Sequence, residues 1–511
     1  MGESEQPAAP HRAPVRHRTS RSTNTGTRQA RSVVALCVWT LLLVVALPLL
    51  VLHGATARLG AATALQCVVV AHAGTALARV LTAPTSRVSA LGFWLFSYVW
   101  LGLAPLPMLA TGTYPRGFVV DADTAFAACA LVEAGLTAYS VGAALAGRRP
   151  THTSTVLRPL LSRTMAPARV LLLSAAALLL AVVLIIQQGG PAAFFHSRQA
   201  ANTAAEQLAS NDSAGRALAA WGLSVPAFTA LAALAHVQRV RGGDRVLRGL
   251  RWLLLPALVA VNVVVNNPVS QPRFWAGTVL LTLVFSLPVT ARPRAFRVVA
   301  GVLTATVLVV FPYSDYFRYD THGDVQVVSL AEQFTTNGDY DAFQQIATGV
   351  DYVAKHGFTP TAALGPPLFF VPRSLWPGKP DDAGVLLARH AGYSFDNLSA
   401  PLWIETYLWA GPAAVVALFA LLGAVSTRVD RIFHRHRRSG TLGALLVPAA
   451  GFYQLVLLRG SLLGVLGPLA LVVVLPFLVS RRAPRHSNGP PAPALMPAPA
   501  PRPLPPEGVT R

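Results

Sequence analysis

Stretches of about twenty apolar residues recur along this chain, and each is long enough to cross the roughly 30 Å hydrocarbon core of a bilayer as one helix. Hydrophobic residues make up 53% of the 511 residues and charged residues only 12%, which excludes a soluble multidomain protein. The fold class is therefore predicted to be an all-α integral membrane protein.

The apolar stretches predict about twelve spans, joined by polar connections. These spans are 33–53, 60–80, 88–110, 124–146, 168–187, 217–237, 250–267, 274–291, 297–313, 401–424, 441–458 and 461–479. They divide the chain into a basic arm at 1–32, nine spans within 33–313, a polar region at 314–400, three spans within 401–480 and a Pro/Ala-rich tail at 481–511. The arm and the tail contain too few apolar residues to bury a core, so both are predicted to be disordered.

Arginines supply most of the positive charge behind the net charge of +21, and they cluster in alternate connections. The clusters lie within 12–31, 148–163, 239–251, 292–297, 428–438 and 481–485. Because positive residues are retained on the cytoplasmic side, both termini are predicted to be cytoplasmic and the 314–400 region to lie outside the cell membrane. This placement explains the basic charge, so a nucleic-acid partner is not needed to account for it. The sequence also contains no nucleic-acid-binding motif.

The region at 314–400 is much longer than a connection between two helices requires, and long loops of this kind are usually functional or disordered. It contains both lysines of the chain, Lys355 and Lys379. Its tryptophan, its prolines and its amphipathic spacing argue against disorder. We therefore predict that the chemistry of the protein takes place in this region.

Two segments of this region have a readable local pattern. Phe343, Ile346 and Val350 recur at three- and four-residue steps, which predicts an amphipathic helix. Such a helix either lies on the outer leaflet or packs on a small core of the region itself. The segment 364–370 is too short to span a bilayer and is interrupted by prolines, so we predict that it dips into the membrane interface.

Several basic residues are predicted to lie outside, against the general placement of positive charge. They are Arg198, Arg273, Arg318, Arg373, Lys379 and Arg459. Arginine offers a planar fork of donors that suits bidentate contacts with phosphate. If these residues converge, they form a site for a lipid-linked pyrophosphate; alternatively, each pairs with a nearby carboxylate or lipid headgroup. Arg58, Arg116 and Arg216 are also predicted to be outside, but nothing around them in the sequence suggests a site.

Acidic residues offer two further candidates. Glu405 lies in the apolar start of the tenth predicted span, where an ionisable side chain is costly and therefore a functional candidate. It could accept a proton from an attacking hydroxyl or pair with a loop arginine. The triplets at 121–123 and 339–341 place two aspartates around one residue and could hold a divalent cation. So short a pattern arises often by chance, and we predict no metal site. No phosphate-binding nucleotide loop is present, and no cofactor is predicted.

Four blocks of the later half carry a resemblance to a known family. They are Tyr316–Asp320, Gly338–Phe343, Phe370–Pro380 and Asn397–Glu405, the last followed by a span that contains Gly411. Over these residues the chain resembles the Wzy-type O-antigen and oligosaccharide repeat-unit polymerases, particularly their actinobacterial branch. Outside about 314–424 the resemblance is one of topology alone.

The family implies a membrane glycosyltransferase with GT-C-like architecture, acting at the outer face of the cytoplasmic membrane. Such an enzyme joins oligosaccharide units carried on undecaprenyl pyrophosphate. Its partners would be this lipid-linked oligosaccharide, the surrounding membrane lipids and a chain-length regulator. Arginines, rather than a metal, would stabilise the charge that develops on the pyrophosphate.

The resemblance also implies roles for particular residues of this chain. Arg318 and Arg373 are the catalytic candidates, with Glu405 as the base or orienting group. The remaining basic candidates, Arg273, Lys379 and Arg459, would bind the pyrophosphate. Trp376 and Trp403 could stack on sugar faces or serve as interfacial anchors, and Asp396 completes the substrate-binding set.

Two other functions remain open. A glycan ligase of the same superfamily would share the topology and the large outer region but transfer a finished glycan to another acceptor. A transporter or flippase of lipid-linked sugar would belong to a different class. Transporters tend to place their binding residues near the bilayer midplane, whereas most of the charge in this chain lies at the edges of the spans.

Overall fold

A computed structural model describes residues 23–53, 60–148, 156–195, 221–237, 245–269, 271–311, 328–396, 398–436 and 440–482. Their secondary structure is almost entirely helical. Of the site residues predicted from the sequence, Arg318 and Arg198 lie outside the described residues. Most of the predicted arm and nearly all of the predicted tail also lie outside them.

The described residues up to 237 form nine helices. Their bounds are α1 Thr23–Leu41, α2 Leu47–Leu52, α3 Ala61–Leu81, α4 Val88–Phe96, α5 Pro105–Thr111, α6 Ala122–Arg148, α7 Leu157–Leu161, α8 Pro167–Gln187 and α9 Ser224–Val237. Wider π-helical turns at Leu42–Ala46 and Ser97–Leu103 join α1 to α2 and α4 to α5.

The described residues from 245 onward form nine further helices. Their bounds are α10 Arg245–Val265, α11 Arg273–Ser286, α12 Pro293–Val309, α13 Leu330–Thr336, α14 Ala342–His356, α15 Ala383–His390, α16 Leu402–His436, α17 Leu442–Arg459 and α18 Leu462–Leu478. Short 3₁₀ turns lie at Pro191–Phe195, Pro288–Ala291, Gly338–Tyr340 and Pro360–Leu364.

By length and composition, seven helices of the described chain are able to cross a membrane. They are Ser32–Leu52, Ala61–Leu81, Val88–Thr111, Ala122–Arg148, Pro167–Gln187, Leu402–Arg435 and Leu442–Arg459. Four shorter apolar helices, Ser224–Val237, Gly249–Val265, Arg273–Ser286 and Leu462–Leu478, coincide with further predicted spans. The prediction of an all-α membrane protein is therefore confirmed.

Helices α6 and α16 form the central pair of the bundle. Small residues allow their backbones to approach closely, because Gly142 faces the backbone of Ala420 and Gly423 faces that of Tyr139. Around this contact lies an aromatic core in which Phe93 stacks on Tyr139, with ring centroids 3.6 Å apart.

At one end of the bundle, three arginine-rich connections meet. Strand β1 (Thr164–Met165) pairs antiparallel with β2 (Ser480–Arg481), and Thr164 also bridges to Thr441. Arg431 donates hydrogen bonds to the carbonyl oxygens of Ala146 and Gly147. The connections around 147–167, 425–441 and 480–482 therefore share one end, as their common arginine content predicts.

At the opposite end, which we call the loop end, residues 328–400 contact the connections at 112–121, 271–273 and 459–461. A break in α16 helps to hold the region there. Pro412 has no N–H for the carbonyl of Leu408, which instead accepts a hydrogen bond of 2.8 Å from the backbone of Thr359. Gly411 makes the break possible because its φ of 70° lies in the left-handed region.

The helix predicted from Phe343, Ile346 and Val350 exists as α14, and its apolar face is covered by protein. Phe343 and Ile346 are fully buried. The helix packs against α6, α15 and α16. Of the two alternatives for this helix, the structure favours packing within the protein, and the spans themselves supply part of the core.

Candidate functional site

The turn at Gly338–Tyr340 is inserted between the spans at the loop end. Its carbonyl at Asp339 accepts a hydrogen bond of 2.9 Å from the indole of Trp100, which lies in the middle of the Val88–Thr111 span. Tyr340 is fully buried, with its ring centroid 4.8 Å from that of Phe334. Asn337 caps the turn by accepting from the backbone of Asp339 at 2.9 Å. Because the tyrosine is anchored in this aromatic core, the two aspartates beside it are held in position.

Three arginines from distant parts of the chain converge on these aspartates. Arg273, the first residue of α11, forms an ion pair with Asp339. Arg459, the last residue of α17, has its Nη2 3.3 Å from Oδ1 of Asp341 and 3.6 Å from Oδ1 of Asp339. Arg116 has its Nε 3.4 Å from Oδ2 of Asp341. We call these five residues the arginine–aspartate cluster.

The charges of this cluster do not cancel. Three guanidinium groups face two carboxylates, which leaves a formal excess of one positive charge among these described residues. The Asp341 side chain is 1% exposed, whereas the side chain of Arg459 is 18% exposed and that of Arg116 is 27% exposed. Buried carboxylates therefore hold partly open guanidinium groups, an arrangement suited to an anion approaching from outside.

Aromatic rings cover one face of each guanidinium group. The Cζ atoms of Arg273 and Arg459 lie 5.3 Å from the ring centroids of Phe311 and Phe274. Arg116 lies over the ring of Phe395 at 5.1 Å. These cation–π contacts restrict the side chains further, so the donors are oriented before any ligand arrives.

Glu405, in the first turn of α16, contacts the start of α18 and not an arginine of the cluster. It is 3% exposed, and both of its oxygens are 3.1 Å from the backbone N–H of Leu462. The hydroxyl of Ser461 donates to Oε1 at 3.0 Å. Glu405 thus satisfies the N–H group of Leu462 at a helix N-terminus, where a carboxylate is also favoured by the helix dipole.

Asp382 is a second carboxyl group at the same helix start. It hydrogen bonds to Ser461 and to the backbone N–H groups of Gly384 and Gly464. Burial raises its pKa, and the charge of Asp381 adds to that increase, while the hydrogen bonds oppose it. Ser461 therefore bonds to both Glu405 and Asp382, two residues after Arg459 in the chain.

Arg373 and Lys379 form a separate group, in which they hold the fold of their own segment. Arg373 donates to the carbonyl of Lys379 at 2.7 Å and to Asp381 at 2.9 Å. Asp381 also accepts from Arg389 at 2.7 Å. Lys379 donates to the carbonyls of Phe369 and Val371, and its pKa is lowered by burial and by the neighbouring charge of Arg373.

The remaining site residues predicted from the sequence, two tryptophans and one aspartate, are not members of the arginine–aspartate cluster. Trp403 is fully buried, donates to the carbonyl of Val132 at 3.2 Å and lies 4.1 Å from the ring of Phe419, so it belongs to the core between α6 and α16. Trp376 is partly exposed at the loop end. Asp396 is exposed and follows Phe395, whose ring covers Arg116.

The structure therefore brings together Arg273 and Arg459 but not Arg373 or Lys379. It adds residues that the sequence analysis had not assigned to the site, namely Arg116, Ser399, Asp382 and Ser461. The sequence around Arg116 did not suggest a site, because its partner Asp341 is 225 residues away in the chain. Ser399 donates to Asp341 at 3.1 Å. The sequence feature that could have indicated this cluster is the triplet at 339–341, because its two carboxylates bind the guanidinium groups.

Comparisons of the chain with models of protein families, with curated proteins and with solved structures find no match. Within the described part of the chain, no group of three or more His, Cys, Asp or Glu residues is placed to hold a metal ion. The geometry of the loop end is thus the basis for a functional interpretation.

Proposed function

We propose that this chain is a membrane glycosyltransferase of about twelve spans with a GT-C-like architecture and with both termini in the cytoplasm. It polymerises undecaprenyl-pyrophosphate-linked oligosaccharide units at the outer face of the cell membrane. The observation that supports this proposal most strongly is the arginine–aspartate cluster, with its excess positive charge and its partly open guanidinium groups.

In this proposal the growing glycan is the donor. A hydroxyl of the next lipid-linked unit attacks the anomeric carbon and a new C–O bond forms. The bond from that carbon to the pyrophosphate oxygen breaks, and the hydroxyl proton is released to water. Negative charge develops on the pyrophosphate, and Arg116, Arg273 and Arg459 stabilise it. Since the carboxylates of Asp339 and Asp341 already hold these groups, little reorganisation is needed during the reaction.

The other residues of the loop end would assist this chemistry. Glu405 binds the start of α18 and so positions the 459–461 turn that carries Arg459. Arg373 and Arg389 share Asp381, which again leaves one positive charge, and we assign them to attraction of the lipid headgroup. We propose that Trp376 and Asp396 contribute to binding of the glycan and that Arg318 acts on the pyrophosphate, as the family resemblance implies.

The proposal is tested by reconstituting the purified protein in vesicles with synthetic undecaprenyl-pyrophosphate oligosaccharide and a chelator, and separating the products on a gel. Native protein should produce a ladder. Arg459→Ala and Arg273→Ala should each reduce its rate about 100-fold, the usual effect of losing one donor to a developing anion.

Arg79→Ala is the matched control, because Arg79 is exposed and ends α3 away from the loop end; this variant should retain the native ladder. Folding of each variant is checked by its elution from a size-exclusion column. Undiminished polymerisation by well-folded Arg459→Ala would refute the role of the cluster. Transfer of a single finished glycan to a different acceptor would identify a ligase.

A second candidate function, transport of lipid-linked sugar, is favoured by one polar array inside the membrane. His72 Nδ1 lies 2.7 Å from Oε1 of Glu133, and His72 Nε2 lies 3.0 Å from the hydroxyl of Ser140. The array lies near the middle of α3 and α6, the depth at which transporters bind their ligands. In vesicles containing a fluorescent lipid-linked oligosaccharide, movement between leaflets that is lost in Glu133→Gln would support transport. No movement by native protein would exclude it.

A further inference from the structure

The segment 364–376 lies along the side of an apolar helix of the bundle. The ring of Phe369 is close to α18, since a Cβ atom placed on Gly467 would be 3.7 Å from it. A Cβ atom on Gly365 would likewise be 3.9 Å from the side chain of Leu463. Gly467 is five residues after the start of α18, which corresponds to about 7.5 Å along the helix axis. The segment therefore descends beside α18 from the loop end.

The side of this segment that faces away from the protein is apolar. Phe370 is 69% exposed and Leu375 is 79% exposed, and Leu364 and Leu368 add to the same surface. So many exposed large hydrophobic side chains in one short segment would be unfavourable in water. Their position beside α18, which is itself one of the apolar helices, makes this surface continuous with the membrane-facing surface of the bundle.

Several polar backbone groups of the segment are satisfied internally, which lowers the cost of placing it in hydrocarbon. Lys379 Nζ donates to the carbonyls of Phe369 and Val371 at 2.7 and 2.9 Å. Val371 donates to the carbonyl of Leu368 at 3.0 Å. Pro366, Pro367 and Pro372 have no N–H group that would need an acceptor. The partly buried Lys379 thus takes the place of water that these two carbonyls would otherwise bind.

Cations lie at the rim of the segment. Arg373 is 51% exposed and Arg389 is 66% exposed, and the single carboxylate that they share is that of Asp381. Trp376 is half-buried, follows Leu375 directly and is three residues after Arg373 in the chain. Arginine at the level of the phosphates and tryptophan at the interface are typical of segments that lie in one leaflet of a bilayer.

We propose that residues 364–376 are a re-entrant segment that inserts into the lipid leaflet at the loop end, with Phe370 and Leu375 in its hydrocarbon and Arg373 and Arg389 at its phosphates. The occupant of this surface is membrane lipid. The proposal holds for the protein whether or not it is a glycosyltransferase, because it rests on packing and exposure alone.

The test is a depth measurement with spin labels on the full chain in lipid vesicles. Phe370→Cys and Leu375→Cys are made separately in a background of Cys37→Ala and Cys67→Ala, since both native cysteines are exposed and free. The matched control is Val119→Cys, which is 85% exposed in another connection of the loop end. Collisions of each label with oxygen and with a water-soluble nickel complex are then compared.

Labels at 370 and 375 should collide more with oxygen and several-fold less with nickel than the label at 119. Equal nickel access at all three positions would place the segment in water and overturn the proposal. Shielding of 370 and 375 from both reagents would show that protein, not lipid, covers them, and would also overturn it.

A second measurement uses the native sequence. The protein is reconstituted with a lipid that carries a photoreactive diazirine on its acyl chain, and labelled peptides are identified by mass spectrometry. Adducts on 364–376 are expected together with adducts on the spans. Labelled spans without any adduct on this segment would refute insertion even if the cysteine variants failed to fold.

Discussion

Removing the charge of Asp341 should destabilise the protein through the arginines that it holds. Asp341 is almost fully buried and accepts from Arg116, Arg459 and Ser399 at 3.1 to 3.4 Å. Removing one partner of a buried ion pair usually costs about 3–5 kcal/mol. The two guanidinium groups are partly exposed and their contacts are long, so we expect about 3 kcal/mol for Asp341→Ala.

The corresponding change in the melting temperature follows from the size of the chain. Unfolding entropies of about 2.1 cal/mol/K per residue predict a decrease of about 3 °C for a chain of this length, and a larger decrease if the spans remain helical after unfolding. The assay is thermal unfolding in detergent, followed by the fraction of protein that elutes as a single species. Lys355→Ala is the control, because Lys355 is 60% exposed and its pair with Asp351 contributes about 0.5 kcal/mol.

A double substitution separates electrostatics from packing. Asp341→Asn keeps the shape of the side chain but leaves three cations around one carboxylate. Adding Arg116→Met removes one of these cations, so the double variant should be more stable than the sum of the single effects predicts, by about 1–2 kcal/mol. Strictly additive effects of the two substitutions would refute the inference that the cluster is held together by its charges.

Three further results are expected from substitutions in the loop end and α16. Gly411→Ala should lower the melting temperature by an amount equivalent to about 1–2 kcal/mol, because an alanine is strained at the φ of 70° that Gly411 adopts. The control is Gly277→Ala, at a helical position with open space around it, which should leave the melting temperature unchanged or raise it. Because the pKa of Asp382 is raised in the folded protein, its contribution to stability is present below about pH 4 and decreases as the pH rises through the raised pKa. Asp382→Asn should therefore raise the melting temperature near pH 8 more than it does near pH 4. Lys379→Met leaves two carbonyls without a donor and should increase proteolysis of its segment at least several-fold, whereas Lys355→Met, at an exposed lysine, should not.

Much of the fold could be read from the sequence because a bilayer imposes a simple rule on chain composition. Helices that span it must be long and apolar, so Ala61–Leu81 and Ala122–Arg148 are visible as runs of residues. Arginine content likewise predicted which connections lie together, since the strands at 164–165 and 480–481 pair at one end. Both inferences use only the composition of consecutive stretches of the sequence, and neither needs contacts between distant residues.

Parts of the candidate site were also visible, for a related reason. Charge at Arg273 and Arg459 stands out beside apolar spans, and the triplet at 339–341 stands out within a polar region. The sequence could not show that these features belong together. That depends on where three helices end relative to one buried turn, and Arg116 joins the cluster across 225 residues of chain.

Some residues have a type that fits several roles, and their role became clear only from their contacts in the folded protein. A tryptophan near a helix start suits a sugar, a lipid or a core, and Trp403 proves to be in the core because α6 approaches it through Gly135. Lys379 resembles a phosphate ligand in the sequence but bonds to two backbone carbonyls. Which segments must leave water follows from the apolar content of the sequence. Which polar groups then face one another inside the protein depends on packing, since each buried polar group needs a partner.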